Sequence, residues 1–259
     1  MICFAAIMPH PPIIIPGIGK AGDLRLVQNT ILAMNRMSEE LEKAKPDTIV
    51  VISPHALLAN NSFGINSAKK LSGDLLDFGL DEEMNFENDL EIAREIQKVS
   101  SSKNIVAYFF ESALDHGAMV PLYYLSENTR SKLIHLSFSD LDFSSHYHYG
   151  EVIGNILEHS SRRVAVIASG DLSHRLIPGA PAGYSPKGKE FDQRLIELLK
   201  EKRTKDILNF DKALVRSAGE CGLRSIAILL GIIRSKDWHF ELLSYEGPFG
   251  VGYMVARLI

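Results

Sequence analysis

At 259 residues the chain is long enough for one large α/β domain or two small ones, and 46% hydrophobic against 23% charged residues excludes extended disorder. A formal charge of -4, with Lys and Arg scattered along the chain, excludes the basic stripe of a nucleic-acid binder. No apolar stretch reaches the roughly 18 residues of a membrane span and the start lacks a signal peptide's basic region, so no membrane contact and a cytoplasmic location are expected.

Residues 2–8 read as a first strand that stops at Pro9, His10, Pro11 and Pro12, where the prolines forbid further sheet pairing. His10 is then held on a stiff loop, as a ligand or as an incidental turn residue. Over 24–45 the apolar positions Leu24, Val27, Ile31, Met34 and Leu41 fall mostly at helical spacing. A second buried-type strand, 48–52, closes on Ser53, Pro54 and His55. Two apolar strands joined by a helical crossover, each ending on a proline–histidine pair, bring His10 and His55 to neighbouring strand ends. That repetition points to a shared metal.

Residues 60–80 suggest a hairpin or excursion at the sheet rim, 87–99 a helix and 105–110 a strand. Asp115 and His116 follow at a helix start, where free amides suit an anionic ligand and Asp115 can also serve as a cap. Residues 132–137 read as a strand with His135 as a core histidine. His146 and His148 are expected as helix-start or surface residues before a helix over 151–160.

The run Val164 to Ala168 suits a strand buried on both faces of a parallel sheet, and Ser169, Gly170, Asp171, Leu172, Ser173 and His174 follow at its carboxyl end. Ligands bind at that edge in open α/β sheets, although Ser169, Asp171 and Ser173 would also serve as turn caps. Residues 177–188, rich in Pro and Gly, form a loop over the site, and helices are expected over 190–200 and 204–210. Glu220 and Cys221, flanked by Gly219 and Gly222, precede an apolar helix over 223–233. Glu220 reads as a first-turn carboxylate or as a ligand that the glycines let approach. Strands over 240–245 and 251–256 close the chain. The expected fold is one α/β domain over 1–259, a mostly parallel central sheet flanked by helices, with the active site at the strand carboxyl ends.

Two cysteines, Cys3 and Cys221, cannot build a four-thiolate zinc site, so a metal would be held mainly by histidine and carboxylate, and nine histidines are present. His10, His55 and Glu220 form a two-histidine, one-carboxylate set with open positions, leaving His116 and His174 for proton transfer. The inventory fits a non-haem iron oxygenase, and its spacing alone also fits a zinc hydrolase.

The stretches MPHPP, ISPHA, DHGAMVPL, SGDLSH and GECG, in this order, resemble the class III extradiol ring-cleavage dioxygenases typified by the catalytic subunit of protocatechuate 4,5-dioxygenase. The resemblance runs from residue 1 to the C-terminus and is strongest to small stand-alone members that also resemble the Memo proteins. It implies Fe(II), with Zn or another divalent metal as the alternative, held by His10, His55 and Glu220. His174 would be the base that deprotonates a catechol hydroxyl, and His116 would hydrogen-bond oxygen or substrate. Memo-like relatives carry cysteine at the carboxylate position, which makes Cys221 the alternative third ligand. The partners implied are a small aromatic substrate and O2, and the family's paired subunits leave room for a homo-oligomer. A Memo-like protein that binds a metal or a partner without ring cleavage, and a zinc-dependent hydrolase, are the competing readings.

Overall fold

The computed structural model describes residues 1–126 and 130–259. Its strands in chain order are β1 (Ile2–Met8), β2 (Thr48–Ser53), β3 (Phe63–Asn66), β4 (Lys70–Leu75), β5 (Leu80–Glu87), β6 (Ala107–Phe110), β7 (Lys132–Ser137), β8 (Val164–Ser169), β9 (Glu241–Glu246) and β10 (Tyr253–Arg257). The helices are α1 (Ala21–Leu26), α2 (Gln28–Ala44), α3 (Leu90–Ser102), α4 (His116–Leu125), α5 (Phe143–His159), α6 (Pro186–Lys200), α7 (Thr204–Leu208), α8 (Lys212–Ala218) and α9 (Leu223–Ile232).

Eight strands form one sheet in the order β6-β3-β7-β2-β8-β1-β10-β9, and β4 and β5 form a separate hairpin. The central four, β7, β2, β8 and β1, run parallel, while β10 and β9 continue the sheet antiparallel. β-branched runs with no polar face suit strands covered on both sides. Along β8, Val164, Val166 and Ala168 join the core under α5, α6 and α9, whereas Ala165 and Ile167 join the core under α2 and α4. This is the single α/β domain with a mostly parallel, helix-flanked sheet that the strand and helix pattern predicts.

Several boundaries differ for local reasons. The helix expected over 24–45 breaks at Val27, whose φ of -114° leaves the helical region, and ends in a left-handed Lys45. The 60–80 stretch divides: β3 enters the main sheet between β6 and β7, and only β4 belongs to the rim hairpin. α5 begins at Phe143, well before the expected 151, because the Asp142 side chain accepts the Ser145 N–H and caps it. His146 is consequently buried inside α5 and His148 is exposed on it. α5 and α9 cross closely: a Cβ on Gly150 would lie 2.1 Å from the Ile228 carbonyl oxygen, and one on Gly231 2.1 Å from that of Tyr147. Among the described residues no helix is long and apolar enough to cross a membrane.

Candidate metal centre

Strand register brings the histidines together. Met8 pairs with Ser169 across β1 and β8, and Ile52 with Ala168 across β2 and β8, so the three carboxyl ends finish at one level. His10 lies two residues beyond β1, His55 two beyond β2, and His116 opens α4. Their ligating nitrogens all lie within 4.8 Å of one another. His10 is buried, His116 half-buried and His55 exposed, which leaves the group open to solvent on the His55 side. The His55 and His116 rings stack with centroids 4.1 Å apart, and Phe78, at the tip of the β4–β5 hairpin, leans on His116 at 5.5 Å.

Hydrogen bonds fix the tautomers. Ser169 donates its one hydroxyl proton to the Gly117 carbonyl at 2.5 Å, so it can only accept from His10 Nδ1 at 2.9 Å. The His10 proton therefore sits on Nδ1, and the Nε2 lone pair faces His55 Nε2 at 3.0 Å. By the same reasoning His174 Nδ1 donates to the Gly219 carbonyl at 2.7 Å, which leaves its Nε2 as a lone pair. Burial lowers the pKa of His10 well below the ordinary histidine value, helped by His55 and His116; burial also lowers those of His55, His116 and His174. All four are held towards the neutral form, the form in which imidazole ligates a metal or accepts a proton.

A carboxylate network braces this edge from behind. Asp115 caps α4 through the Ala118 N–H and accepts hydrogen bonds from Ser53 Oγ and, at 3.0 Å, from His135 Nε2. Burial would raise its pKa, but the His135 and Ser53 donors reverse that and hold the carboxyl well below the usual range. His135, expected as a plain core residue, thus ties β7 to the loop that carries His116. Asp171 accepts the His10 backbone N–H at 3.0 Å, with Oδ2 3.9 Å from His10 Nε2; burial raises its pKa to about 7. Sequence reasoning gave Asp115 as a cap and Asp171 as a cap or as part of the ligand-binding strand edge, and the signal available for Asp115 was its place immediately before His116.

Glu220 does not join the histidines. Its Oε2 accepts the Leu223 N–H at 2.6 Å at the start of α9, and burial raises its pKa to about 7. Cys221 faces the other way, with Sγ 3.6 Å from His10 Nε2. This orientation follows from contact between two turns. A Cβ on Gly170 would lie 2.2 Å from Gly222 Cα, and the Asp171 carbonyl accepts the N–H groups of Cys221 at 3.3 Å and Gly222 at 3.0 Å. Burial raises the pKa of the thiol well above its ordinary value. The mutually close donors are thus the three imidazoles, with the Cys221 thiol beside His10 alone, and imidazole donors fit a divalent transition metal better than a hard oxygen-seeking cation.

Residues 4–256 match the family described as the catalytic LigB subunit of aromatic ring-opening dioxygenase. Protein CA_C1420 of Clostridium acetobutylicum is 34% identical over 264 residues, covering 97% of this chain and 56% of that protein, so the chain spans about half the length of this relative. The 3,4-dihydroxyphenylacetate 2,3-dioxygenase of Escherichia coli is 29% identical over 223 residues, 80% of each chain. An uncharacterized protein, JW3007, from Escherichia coli K12 shares the fold with a TM-score of 0.70 and 16% identity over 99% of both chains. Matched along nearly its whole length, the chain belongs to the LigB family of aromatic ring-opening dioxygenase catalytic subunits.

Proposed function

We propose that this protein is a non-haem Fe(II)-dependent extradiol dioxygenase that opens a catechol-type aromatic ring with O2. The observation that carries this reading is the His10, His55 and His116 group, with His174, whose Nδ1 donates to the Gly219 carbonyl, within electrostatic reach of His10 and His55. In this reading His10 and His55 hold the metal, and Cys221 replaces Glu220 as the further protein donor because its sulfur is the one turned to His10.

A ferrous ion held there would supply adjacent coordination positions for both reactants and electron transfer between them. The residues supply the rest. His174, neutral and with its proton on Nδ1, accepts the proton of a catechol hydroxyl at Nε2 and can return it to the product. His116, stacked on His55 and half-buried, offers a ring nitrogen for a hydrogen bond to oxygen or substrate. Phe78 gives the open side an apolar face against which an aromatic ring can lie. Ser169 holds the His10 imidazole and Asp115 anchors the start of α4 that carries His116, so little ordering is left to the moment of reaction.

The thiol favours one competing reading. Sulfur is a softer donor than carboxylate, and a soft set suits zinc in a protein that binds metal without ring cleavage or that hydrolyses its substrate. The test is anaerobic purification with metal analysis, followed by oxygen uptake on a catechol panel that includes 3,4-dihydroxyphenylacetate. Iron with catechol-dependent uptake and a ring-opened product supports the dioxygenase; zinc with no uptake after iron reconstitution overturns it.

A further inference from the structure

The turn from Gly219 to Gly222 separates two spaces. Cys221 faces the histidines, while Glu220 and Gly219 help line a cavity of about 620 Å³ on the other side. Its remaining walls come from the loop after β7, the first residues of α5, the end of α7 with the link to α8, α8 itself and the start of α9. The volume is that of a small-molecule pocket.

Three cationic side chains line this cavity: Lys212, Arg216 and Arg224. Among the described residues none of the three has a side-chain hydrogen bond or an ion pair. Arg224 is the unusual one. Its guanidinium lies 5.7 Å from the Phe138 ring centre and 5.6 Å from that of Phe143, and its Nε is shut off from solvent without a hydrogen-bond partner. Two aromatic faces fix the cation in place, no protein acceptor answers its donors, and its two terminal nitrogens, unlike Nε, are not shut off and can be reached by a ligand.

The acids around the cavity are already engaged. Asp140 accepts the Asn61 N–H at 2.9 Å, Asp142 the Ser145 N–H at 2.8 Å and Glu220 the Leu223 N–H at 2.6 Å. They do not neutralise Arg224 by contact, but they would repel a strongly charged dianion such as phosphate. The apolar share of the lining, from Phe143, Leu208, Phe210 and Val215, calls for a ligand with an apolar body.

We propose that this cavity is a second binding site, separate from the metal centre, for a small monocarboxylic acid with an apolar body whose carboxylate is taken by Arg224. A planar carboxylate matches a guanidinium fixed between rings, and Lys212 and Arg216 add a weaker, solvent-exposed field at the entrance.

Phenylacetate is a suitable probe, because it carries the acid and an aromatic body but no catechol hydroxyls. Isothermal titration is carried out on the protein as purified and after metal removal with a chelator. The proposal expects saturable binding at one site, equal in both preparations, and none for phenylacetamide. Arg224→Gln and the double variant Lys212→Ser/Arg216→Ser should each weaken binding, the former by about tenfold or more, with metal content unchanged. The double variant alters two surface side chains and keeps the test open if Arg224→Gln folds poorly. Absence of saturable binding, loss of binding on metal removal, displacement by equimolar inorganic phosphate, or full affinity in the double variant and in any folded Arg224→Gln would each overturn it.

Discussion

His10 and His55 present their Nε2 atoms to each other at 3.0 Å, and the Ser169 hydroxyl obliges His10 to do so with a lone pair. Two ring nitrogens held so close, one on buried His10 and one on exposed His55, are a poor pair on their own and a good one around a cation. His10→Ala and His55→Ala should therefore lose bound metal. His174→Ala should keep it and lose roughly 10²- to 10⁴-fold in kcat, the usual worth of a positioned base. Metal stoichiometry by plasma emission, set beside turnover, separates the two classes; metal loss in His174→Ala would sink the assignment.

Ser169 never reaches the metal position in this scheme, yet it sets the His10 tautomer through Nδ1. Ser169→Ala removes that acceptor, and the metal affinity should fall by about 10- to 100-fold, as for other hydrogen-bond partners of ligating histidines. Competition with a fluorescent chelator measures it. An unchanged affinity would show that the tautomer is fixed by something other than this contact.

Glu220 and Cys221 should divide cleanly between stability and metal. Glu220→Ala removes the acceptor of the Leu223 N–H and should cost about 1 kcal/mol in denaturant unfolding, as loss of a helix cap does, with little change in metal content. Cys221→Ser should leave unfolding nearly unchanged while weakening metal retention. The reverse pattern would return the carboxylate to the metal.

Asp192, which braces the backbone next to His174, gives a pH test. Its Oδ1 accepts the Ser173 N–H at 2.8 Å and its Oδ2 the Tyr245 hydroxyl at 2.6 Å, but burial outweighs both and raises its pKa to about 7. The folded state therefore holds this proton where the unfolded chain, with a carboxyl near the ordinary value of about 4, has released it. Its contribution to stability is present below pH 4, is lost progressively as pH rises to about 7, and is level above. Asp192→Asn should remove that decline. Urea unfolding at pH 5, 6, 7 and 8 should show the variant gaining on the parent as pH rises to 7; a constant difference across the series would contradict the raised pKa.

The residues of the candidate site were legible in unequal measure. His10, His55, His116 and His174 could be read because each follows an apolar run or opens a helix, so a local pattern gives both the side chain and its place at the sheet edge. The direction of Glu220 against Cys221 could not be read. It depends on one turn held at Gly219, whose φ is 63°, and on Gly222 pressed against Gly170, a contact between segments about fifty residues apart. His135 was opaque for the same reason, since its partner Asp115 stands across the sheet edge on another element. β3 was misplaced at the rim because its pairing with β7 depends on register rather than on its own composition.

The bare contact of Gly170 with Gly222 makes two distant parts of the chain a single mechanical piece. The loop that carries His174 cannot shift without carrying the Cys221 turn, and that turn is the root of α9, itself keyed into α5 through Gly231 and Gly150. Alignment at the mouth of the sheet is in this way set from the back of the molecule. A single methyl added at Gly231, on the far helix, would be felt at the turn that carries Cys221.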